Sequence, residues 1–412
     1  MKHIFGGPNF FKYSKQIVYY CMKIVGLAPF EFRENRFHRP GWFGSLYPFS
    51  IIAAGLFALF EHLELRGTGN FSVQMRRILN IFSSILPTVL NILFFSILRD
   101  KFISLLNDLC EFKRAIEIAG ITEDNEKYFE NIISFATPII AVHSMIHAIV
   151  LPLNPRLTVF DAVGYFVDQT ITLITILMFT NTMILMKNRF KLINEKLYDI
   201  LKSSRCQKTS RISNVELVRL YPSEIRRNFT FNANGVSYSK HIRTIGGLHC
   251  DLHDLQIRAV DLLSLPISLI SMKMINNIAF AIYNSFYIFT NWNTIMESKN
   301  LTKNGLYVTL LRPQIYAIID IFELISIVYA SVKTSREANA TKTILIESWT
   351  NENLPESEKE ILMFSMQLLG NDHSVSLFRF IAMDYSFIYK VLTSLIAYVI
   401  LMIQLAEGSK KG

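Results

Sequence analysis

Long apolar stretches separated by polar segments recur along the whole chain. A membrane-spanning helix needs about 20 mostly apolar residues, and windows of that size return again and again. The predicted spans are residues 43–60, 78–98, 131–155, 162–186, 262–292, 306–332 and 380–405. The sixth span must carry Arg312, Asp320 and Glu323. The pattern predicts an all-α integral membrane protein with seven transmembrane helices.

Apolar positions at helical spacing continue beyond several spans. They extend the fourth span through 187–202 and return from about Tyr238 into the fifth span. The polar stretch 203–213 breaks this spacing, and 222–235 is rich in turn residues. Helical spacing also appears in 338–349 and 361–378. These segments predict long cytosolic helical extensions that pack into a bundle and provide an assembly surface.

The predicted segments follow from these boundaries. They are a cytosolic N-terminal segment (1–42), spans one to four (43–186), cytosolic extensions (187–261), spans five and six (262–332), further cytosolic helices (333–379), and the last span with a short outer tail (380–412). Most lysines and arginines then lie on the cytosolic side, above all in 187–261, as the positive-inside rule requires. This asymmetry predicts the N-terminus inside and the C-terminus outside.

Composition supports a membrane protein and excludes other classes. Hydrophobic residues make up 51% of the 412 residues and charged residues only 18%, too apolar for an ordinary soluble domain. The net charge of +9 comes with no nucleic-acid-binding module, so basic loops facing anionic lipid explain it better. All four cysteines fall in segments assigned to the cytosol, where thiols stay reduced. We expect no nucleic-acid partner.

Glycosylation sequons give a test of this orientation. Asn70 and Asn300 lie in predicted outer loops, whereas Asn228 and Asn339 lie on the cytosolic side. Only the first two are expected to carry sugar.

Polar and aromatic residues collect in the outer halves of spans three to six. Such groups are costly in lipid unless they face a cavity or one another, and aromatic walls with a few polar groups suit a small organic ligand. The candidate ligand-binding residues are His143, His147, Tyr165, Asp168, Gln169, Thr172, Tyr287, Asn291, Trp292 and Arg312. An ion pair between Asp168 and Arg312 is an equal alternative to ligand contact. Without a third ligand beside His143 and His147, no metal site is predicted.

The last span carries a candidate pore-lining face. Tyr398, Leu401, Gln404 and Leu405 share one side of the helix. Four copies around an axis would form an amide ring beside apolar rings, which could gate ions by excluding water. The alternative is that Gln404 is an interfacial residue near the helix end.

The C-terminal sequence resembles the insect gustatory receptor family of the insect chemoreceptor superfamily. The family signature is Thr-Tyr, five hydrophobic residues and Gln-Phe; here Tyr398, the spacing and Gln404 match, while Ala397 and Leu405 replace the Thr and Phe. The preceding 377–380 and 383–385 and the region 248–289 also resemble the family. The resemblance implies a homotetrameric ligand-gated cation channel in which the last helix of each subunit lines the pore.

The sequence lacks the motifs that other classes of membrane protein would show. A G-protein-coupled receptor would show an acidic-Arg-Tyr triplet after the third span and Asn-Pro-x-x-Tyr in the seventh, and it would have the opposite orientation. A transporter would show repeated halves, and no motif of an enzyme is present. We therefore expect a plasma-membrane receptor without enzymatic activity or cofactor, opened by a sugar or bitter tastant. An olfactory-type subunit that needs a co-receptor is the alternative.

Overall fold

The computed structural model describes most of the long predicted helices. The described residues are 31–33, 36–42, 44, 46–53, 86–121, 159–220, 233–290, 303–351, 358–370 and 374–411, with Lys23 and Leu27. The helical side chains outside this description are those of 159–166, 203–220, 233–238, 303–310, 312, 348–351, 358–359, 370, 402 and 405–411. The predicted third span, 131–155, and half of the first, 43–60, fall outside the described residues.

Helices dominate the described part of the chain. In chain order the elements are β1 (Glu31–Arg33), β2 (Arg36–His38), α1 (Leu86–Ile97), α2 (Arg99–Ile118), α3 (Val159–Leu220), α4 (Ala233–Thr290), α5 (Lys303–Asn351), α6 (Glu358–Gly370), β3 (Ser376–Leu377), β4 (Ile381–Ala382) and α7 (Tyr385–Lys411). The strands form two small hairpins and no larger sheet within these residues. The prediction of an all-α architecture is confirmed.

Three of the described helices are long and apolar enough to cross a membrane. They are α3, α4 and α5, with 62, 58 and 49 residues. At about 1.5 Å per residue each is roughly 70–90 Å long, whereas the hydrocarbon core of a bilayer is about 30 Å thick. Each helix therefore continues well past the membrane, as the sequence predicted for the fourth and fifth spans.

One predicted interruption is wrong, and the described end of another is helical. Helix α3 runs unbroken through 203–213 and ends at Leu220. No glycine or proline occurs between Lys202 and Leu220, so no residue there disfavours helical hydrogen bonding. The prediction failed because apolar spacing indicates which side of a helix packs, not whether the helix forms. Helix α4 begins at Ala233, so residues 233–235 of the predicted turn 222–235 are helical, and 222–232 lie outside the described residues. The predicted helix 338–349 is the end of α5 and is not a separate element.

The long helices pack against one another through polar as well as apolar contacts. Asn194 on α3 donates its side-chain amide to the carbonyl of Glu337 on α5 at 2.8 Å, and Thr341 donates to the Asn194 Oδ1 at 2.6 Å. Thr334 on α5 donates to the Met183 carbonyl at 2.8 Å. These bonds satisfy buried groups on both helices and fix their register. The predicted bundle of helical extensions is present.

Helix α2 covers one side of this bundle. Its buried residues recur every three or four positions: Phe102, Leu105, Leu109, Phe112 and Ile116. Gly120 ends the helix with a φ of 72°, a left-handed conformation that favours glycine. An ion pair of 2.7 Å between Arg258 on α4 and Asp108 fastens α2 to the bundle.

Helix α6 packs against α4 where α4 lacks a side chain. A Cβ atom built on Gly246 would lie 3.4 Å from the Phe364 ring. The Phe364 ring also meets the His249 ring edge-on, with 5.7 Å between centroids. Glycine at this position therefore allows the two helices to approach closely.

A short hairpin, not a helix, leads into the last span. β3 pairs with β4 antiparallel, Ser376 opposite Ala382. The turn holds Phe378 and Arg379 at φ of 51° and 64°, outside the helical region. The predicted helix 361–378 is therefore too long: α6 stops at Gly370, the hairpin occupies 376–382, and the last span begins at Tyr385 rather than at 380. An ion pair of 2.7 Å between Arg379 and Asp261 joins the hairpin to α4.

The N-terminal hairpin is fastened to α2. β1 and β2 pair antiparallel with Glu31 opposite His38. Asn107 on α2 accepts from the Phe37 amide at 2.9 Å and donates to the Phe37 carbonyl at 3.1 Å. Arg39 donates two hydrogen bonds of 2.8 Å to Asp100. The described N-terminal residues thus lie beside the helical extensions, on the side predicted to be cytosolic.

Candidate functional site

A buried ion pair joins the predicted fourth and fifth spans. Lys273 on α4 donates to Asp168 Oδ2 on α3 at 2.7 Å and to Thr172 Oγ1 at 2.9 Å. The two charged side chains are 2% and 10% exposed. Thr172 lies one turn after Asp168 on α3, so the ammonium bridges two successive turns of that helix.

The second predicted span adds polar groups to this pair. Thr88 on α1 donates a hydrogen bond to Asp168 Oδ1. Asn91 lies three residues further along α1, on the same face as Thr88, and is 1% exposed. Among the described residues, neither polar atom of the Asn91 side chain has a hydrogen-bond partner. A polar layer therefore extends from α1 across α3 to α4.

The predicted sixth span contributes two acidic residues to the same layer. Asp320 and Glu323 on α5 are 5% and 1% exposed, and their spacing places them on one face of the helix. Lys273, Asn277 and Asp168 are polar neighbours of Asp320, and Asp320 and Lys273 are polar neighbours of Glu323. Charges within a membrane span are costly and face protein or water rather than lipid. This burial identifies the interior between α3, α4 and α5 as the candidate site.

The outer part of the same interior is lined by hydroxyl and aromatic side chains. Gln314 on α5 donates to the Ala281 carbonyl of α4 at 2.8 Å and also to Ser285. Tyr283 and Tyr287 stack with ring centroids 6.4 Å apart. Tyr287 is 37% exposed, whereas Tyr283 is buried. Aromatic and polar groups therefore lie together near the outer ends of α4 and α5.

In the part of the chain that the structure describes, the last helix is buried along one side. Val391 and Leu395 of α7 are buried. Tyr398 and Leu401 are 42% and 52% exposed, and Gln404 is exposed. With about 100° of rotation per residue, Gln404 lies nearly opposite the buried side. Most of the predicted pore-lining face is therefore uncovered within a single chain.

No metal centre is found in the described ranges. None of their histidine, cysteine, aspartate and glutamate side chains form a group of three or more that could hold a metal ion. The polar layer holds the Lys273 ammonium beside its three carboxylates, and this is a poor set of metal ligands because the ammonium repels a cation.

Comparison with protein families decides what kind of membrane protein carries this site. A family model described as "7tm Chemosensory receptor" matches residues 16–407. The chain belongs to this chemosensory receptor family. The receptor is therefore an all-α membrane protein with seven transmembrane helices. No curated protein matches the receptor significantly in sequence.

Solved structures show the same fold. The receptor is similar to the insect olfactory receptor OR5 from Machilis hrabei, with 12% sequence identity, a TM-score of 0.63, and coverage of 96% of this chain and 98% of that chain. The structure of the same olfactory receptor in complex with eugenol gives a TM-score of 0.66 at the same identity and coverage. The chain thus spans essentially the whole length of that fold.

The receptor structure brings together some of the residues that the sequence predicted for ligand binding. Asp168 and Thr172 meet in the polar layer, and Gln169 is buried beside them on α3. Tyr287 lies further out on α4. The predicted residues outside the description are His143, His147, Asn291 and Trp292, the side chains of Tyr165, Arg312 and Leu405, and the glycosylation sites Asn70 and Asn300.

Sequence reasoning missed the partner of Asp168. The predicted alternative was an ion pair with Arg312, but the structure pairs Asp168 with Lys273. Lys273, Asp320 and Glu323 were visible as charges inside spans, which is itself a signal of a functional interior. Their mutual contacts join helices far apart in the chain, so spacing alone could not reveal them. Thr88 and Asn91 gave no such signal because neither is charged.

Proposed function

We propose that this receptor is a gustatory receptor that acts as a ligand-gated, non-selective cation channel in the plasma membrane. A small extracellular tastant, a sugar or a bitter compound, opens a homotetramer surrounded by lipid. Monovalent and divalent cations then pass along the axis between the four last helices. The role is that of a receptor channel, not of an enzyme, and it needs no cofactor.

The uncovered side of α7 is the observation that carries this proposal. An apolar helix with Tyr398, Leu401 and Gln404 exposed needs neighbours outside its own chain. Lipid satisfies the apolar residues, but a polar amide is better placed against water or another subunit. If copies of α7 surround an axis, Gln404 faces water on that axis. The buried side of each α7 then still packs on α4 and α5 of its own chain. An amide ring carries no fixed charge and favours weak selectivity among cations.

The solved relatives support a small-molecule ligand and also the alternative function. One of them is an olfactory receptor in complex with eugenol, a small organic compound. The likeness to an olfactory receptor keeps the alternative open, which is an olfactory-type subunit that needs a co-receptor. The two functions differ in one observable property, which is whether this chain expressed alone gives ligand-evoked current.

Replacing Gln404 with alanine tests the pore assignment. The chain is expressed alone in a heterologous cell, and a panel of sugars and bitter compounds is applied under voltage clamp. We expect a non-selective cation current in the wild type. Loss of an amide contact worth about 1 kcal/mol changes a relative permeability or block constant roughly fivefold. Surface biotinylation checks that expression is unchanged.

The matched control is Val399→Ala on the half-buried flank of the same helix, which should leave permeation unchanged. If Gln404→Ala keeps the wild-type permeability ratios and block, Gln404 does not lie on the conduction path. If current requires an added subunit, the olfactory-type alternative is correct.

Glycan mapping tests the proposed orientation. The charge asymmetry places Asn70 and Asn300 outside and Asn228 inside. We expect each of the changes Asn70→Gln and Asn300→Gln to remove one glycan-sized step of about 2–3 kDa in gel mobility, since glycans at these sequons are bulky. Asn228→Gln is the control and should leave mobility unchanged. Sugar at Asn228 would show that the assigned topology is inverted.

A further inference from the structure

We propose that Arg379 and Asp261 are positioning residues whose ion pair holds a strained turn against α4 and thereby fixes the start of the last helix. Arg379 lies in the α7 hairpin, which we define as residues 375–383 and which contains β3, its turn and β4. This role goes beyond the proposed function. It concerns how α7 is held on its own chain, and it stands whether or not α7 lines a pore.

The turn of the α7 hairpin has an unfavourable backbone conformation. Phe378 and Arg379 have φ of 51° and 64°. In this left-handed region the Cβ atom of an L-residue comes too close to the backbone, and neither residue is a glycine or asparagine, which adopt it at less cost. Strained residues of this kind persist only where surrounding contacts hold them. The turn should therefore relax when those contacts are lost.

Helix α4 contacts the two strained residues directly. Arg379 donates to Asp261 Oδ2 at 2.7 Å, and the Phe378 amide donates to Ser264 Oγ at 3.3 Å. Ser264 is 1% exposed and itself donates to the Val260 carbonyl at 2.6 Å, so its oxygen can accept from Phe378. Asp261 and Ser264 are three residues apart and lie on the same face of α4. One face of α4 therefore holds the whole turn.

The body of the α7 hairpin is packed more firmly than its turn. Val375, Leu377 and Met383 are each no more than 3% exposed. The Val375 amide donates to Ser335 Oγ of α5 at 3.1 Å, and its carbonyl accepts from the Met383 amide at 2.9 Å. By contrast, the two side chains of the ion pair are 75% and 38% exposed. The ion pair is therefore the contact that can open while the core of the bundle stays intact.

The first turns of α7 have little other support within their own chain. Among the described side chains of 384–390 none is buried, and Val391 is the first buried residue of the helix. Only Asp384 separates the α7 hairpin from Tyr385, and its carboxylate caps the helix by accepting from the Phe387 amide at 3.1 Å. Because one residue spans at most about 3.6 Å, the hairpin sets where α7 begins.

Hydrogen exchange of the purified full-length receptor tests the inference without ligand or current. Exchange is followed by mass spectrometry in peptides that cover 375–390, because the exchange rate of an amide depends on how often the local structure opens. We expect Arg379→Gln and Asp261→Asn each to speed exchange there roughly threefold, within the range of an exposed ion pair. The double variant should speed it no further than either single variant, since both remove the same contact.

The matched control is Arg258→Gln. Arg258 lies three residues before Asp261 on α4 and forms an ion pair of the same 2.7 Å, but with Asp108 of α2. This variant should leave exchange in 375–390 unchanged, and thermal unfolding checks that all variants are folded. Unchanged exchange in either Arg379→Gln or Asp261→Asn overturns the inference. Effects that add in the double variant, or an equal effect of Arg258→Gln, overturn it as well.

A second pair of variants tests the strain and leaves the ion pair in place. Phe378→Gly and Phe378→Ala remove the same ring, but only glycine adopts a positive φ without steric cost. We expect exchange in 375–390 to be about threefold slower in Phe378→Gly than in Phe378→Ala. Equal exchange in the two would mean that the turn is not strained, and it would overturn the inference even if Arg379→Gln did not fold. Neither measurement needs ligand-evoked current, so the channel function and the role of the ion pair fail separately.

Discussion

Replacing Lys273 with methionine is expected to destabilise the receptor by about 3–5 kcal/mol, since removing one partner of a buried ion pair leaves the other charge uncompensated. Methionine keeps the length of the lysine stem, so little packing is lost. The remaining Asp168 keeps its bond from Thr88, but Asp320 and Glu323 lose their positive neighbour as well. The measurement is the free energy of unfolding in mixed micelles with increasing SDS.

The double variant Asp168→Asn with Lys273→Met distinguishes the loss of the ion pair itself from the cost of leaving Asp168 charged and without its lysine. It should recover part of the lost stability, because the buried anion of Asp168 is gone, but not all of it, because Asp320 and Glu323 still lack the Lys273 ammonium. The control is Lys191→Met in the exposed ion pair with Glu195, whose side chains are 55% and 58% exposed. Exposed pairs contribute about 0–1 kcal/mol. If Lys273→Met is as stable as Lys191→Met, the ion pair has no structural role.

The long helices could be predicted from sequence because the features that determine them, apolar spacing and the absence of glycine and proline, are local in the chain. Apolar spacing over 187–202 and 242–260 predicted that α3 and α4 continue past the membrane, and the buried residues Phe190, Ile193 and Leu197 confirm it. The same criterion failed at 203–213, where the apolar spacing stops and the helix does not. A helix of polar sequence has no apolar stripe, so only the absence of glycine and proline could have predicted it.

The candidate site was harder to predict because its contacts are not local. Asp168 contacts Lys273 and Thr88, which are distant in sequence. The charges in each span were visible, but the relative rotation and depth of the helices decide which of them meet. The hairpin before α7 escaped prediction for a different reason. Its turn places Phe378 and Arg379 in left-handed conformations that neither residue favours, and contacts with Asp261 and Ser264 of α4 hold it there.

Lowering the pH from 6.5 to about 4 is expected to destabilise the receptor by about 3 kcal/mol through His249 alone. Burial between the rings of Phe190 and Phe364 lowers the pKa of His249 from 6.5 to about 4; the backbone of Ala338 acts against this shift, and His253 and Lys342 add to it. His249 precedes the predicted fifth span, in the bundle of helical extensions. Each unit of difference in pKa between the folded and unfolded states is worth about 1.4 kcal/mol.

The sign follows from which state binds the proton more readily. Below pH 6.5 the unfolded chain protonates His249 while the folded chain does not, so unfolding is favoured increasingly until about pH 4, where the folded state protonates as well. The measurement is the difference in unfolding free energy between the wild type and His249→Leu across that range. The unfolding free energy of the wild type minus that of His249→Leu should fall by about 3 kcal/mol towards pH 4. The control is His241→Leu, at an exposed position of α4, which should leave the pH profile of the wild type unchanged. Parallel profiles for the wild type and His249→Leu would mean that the imidazole stays hydrated in the folded receptor, and that the contact between α4 and α6 is looser than the ring distances indicate.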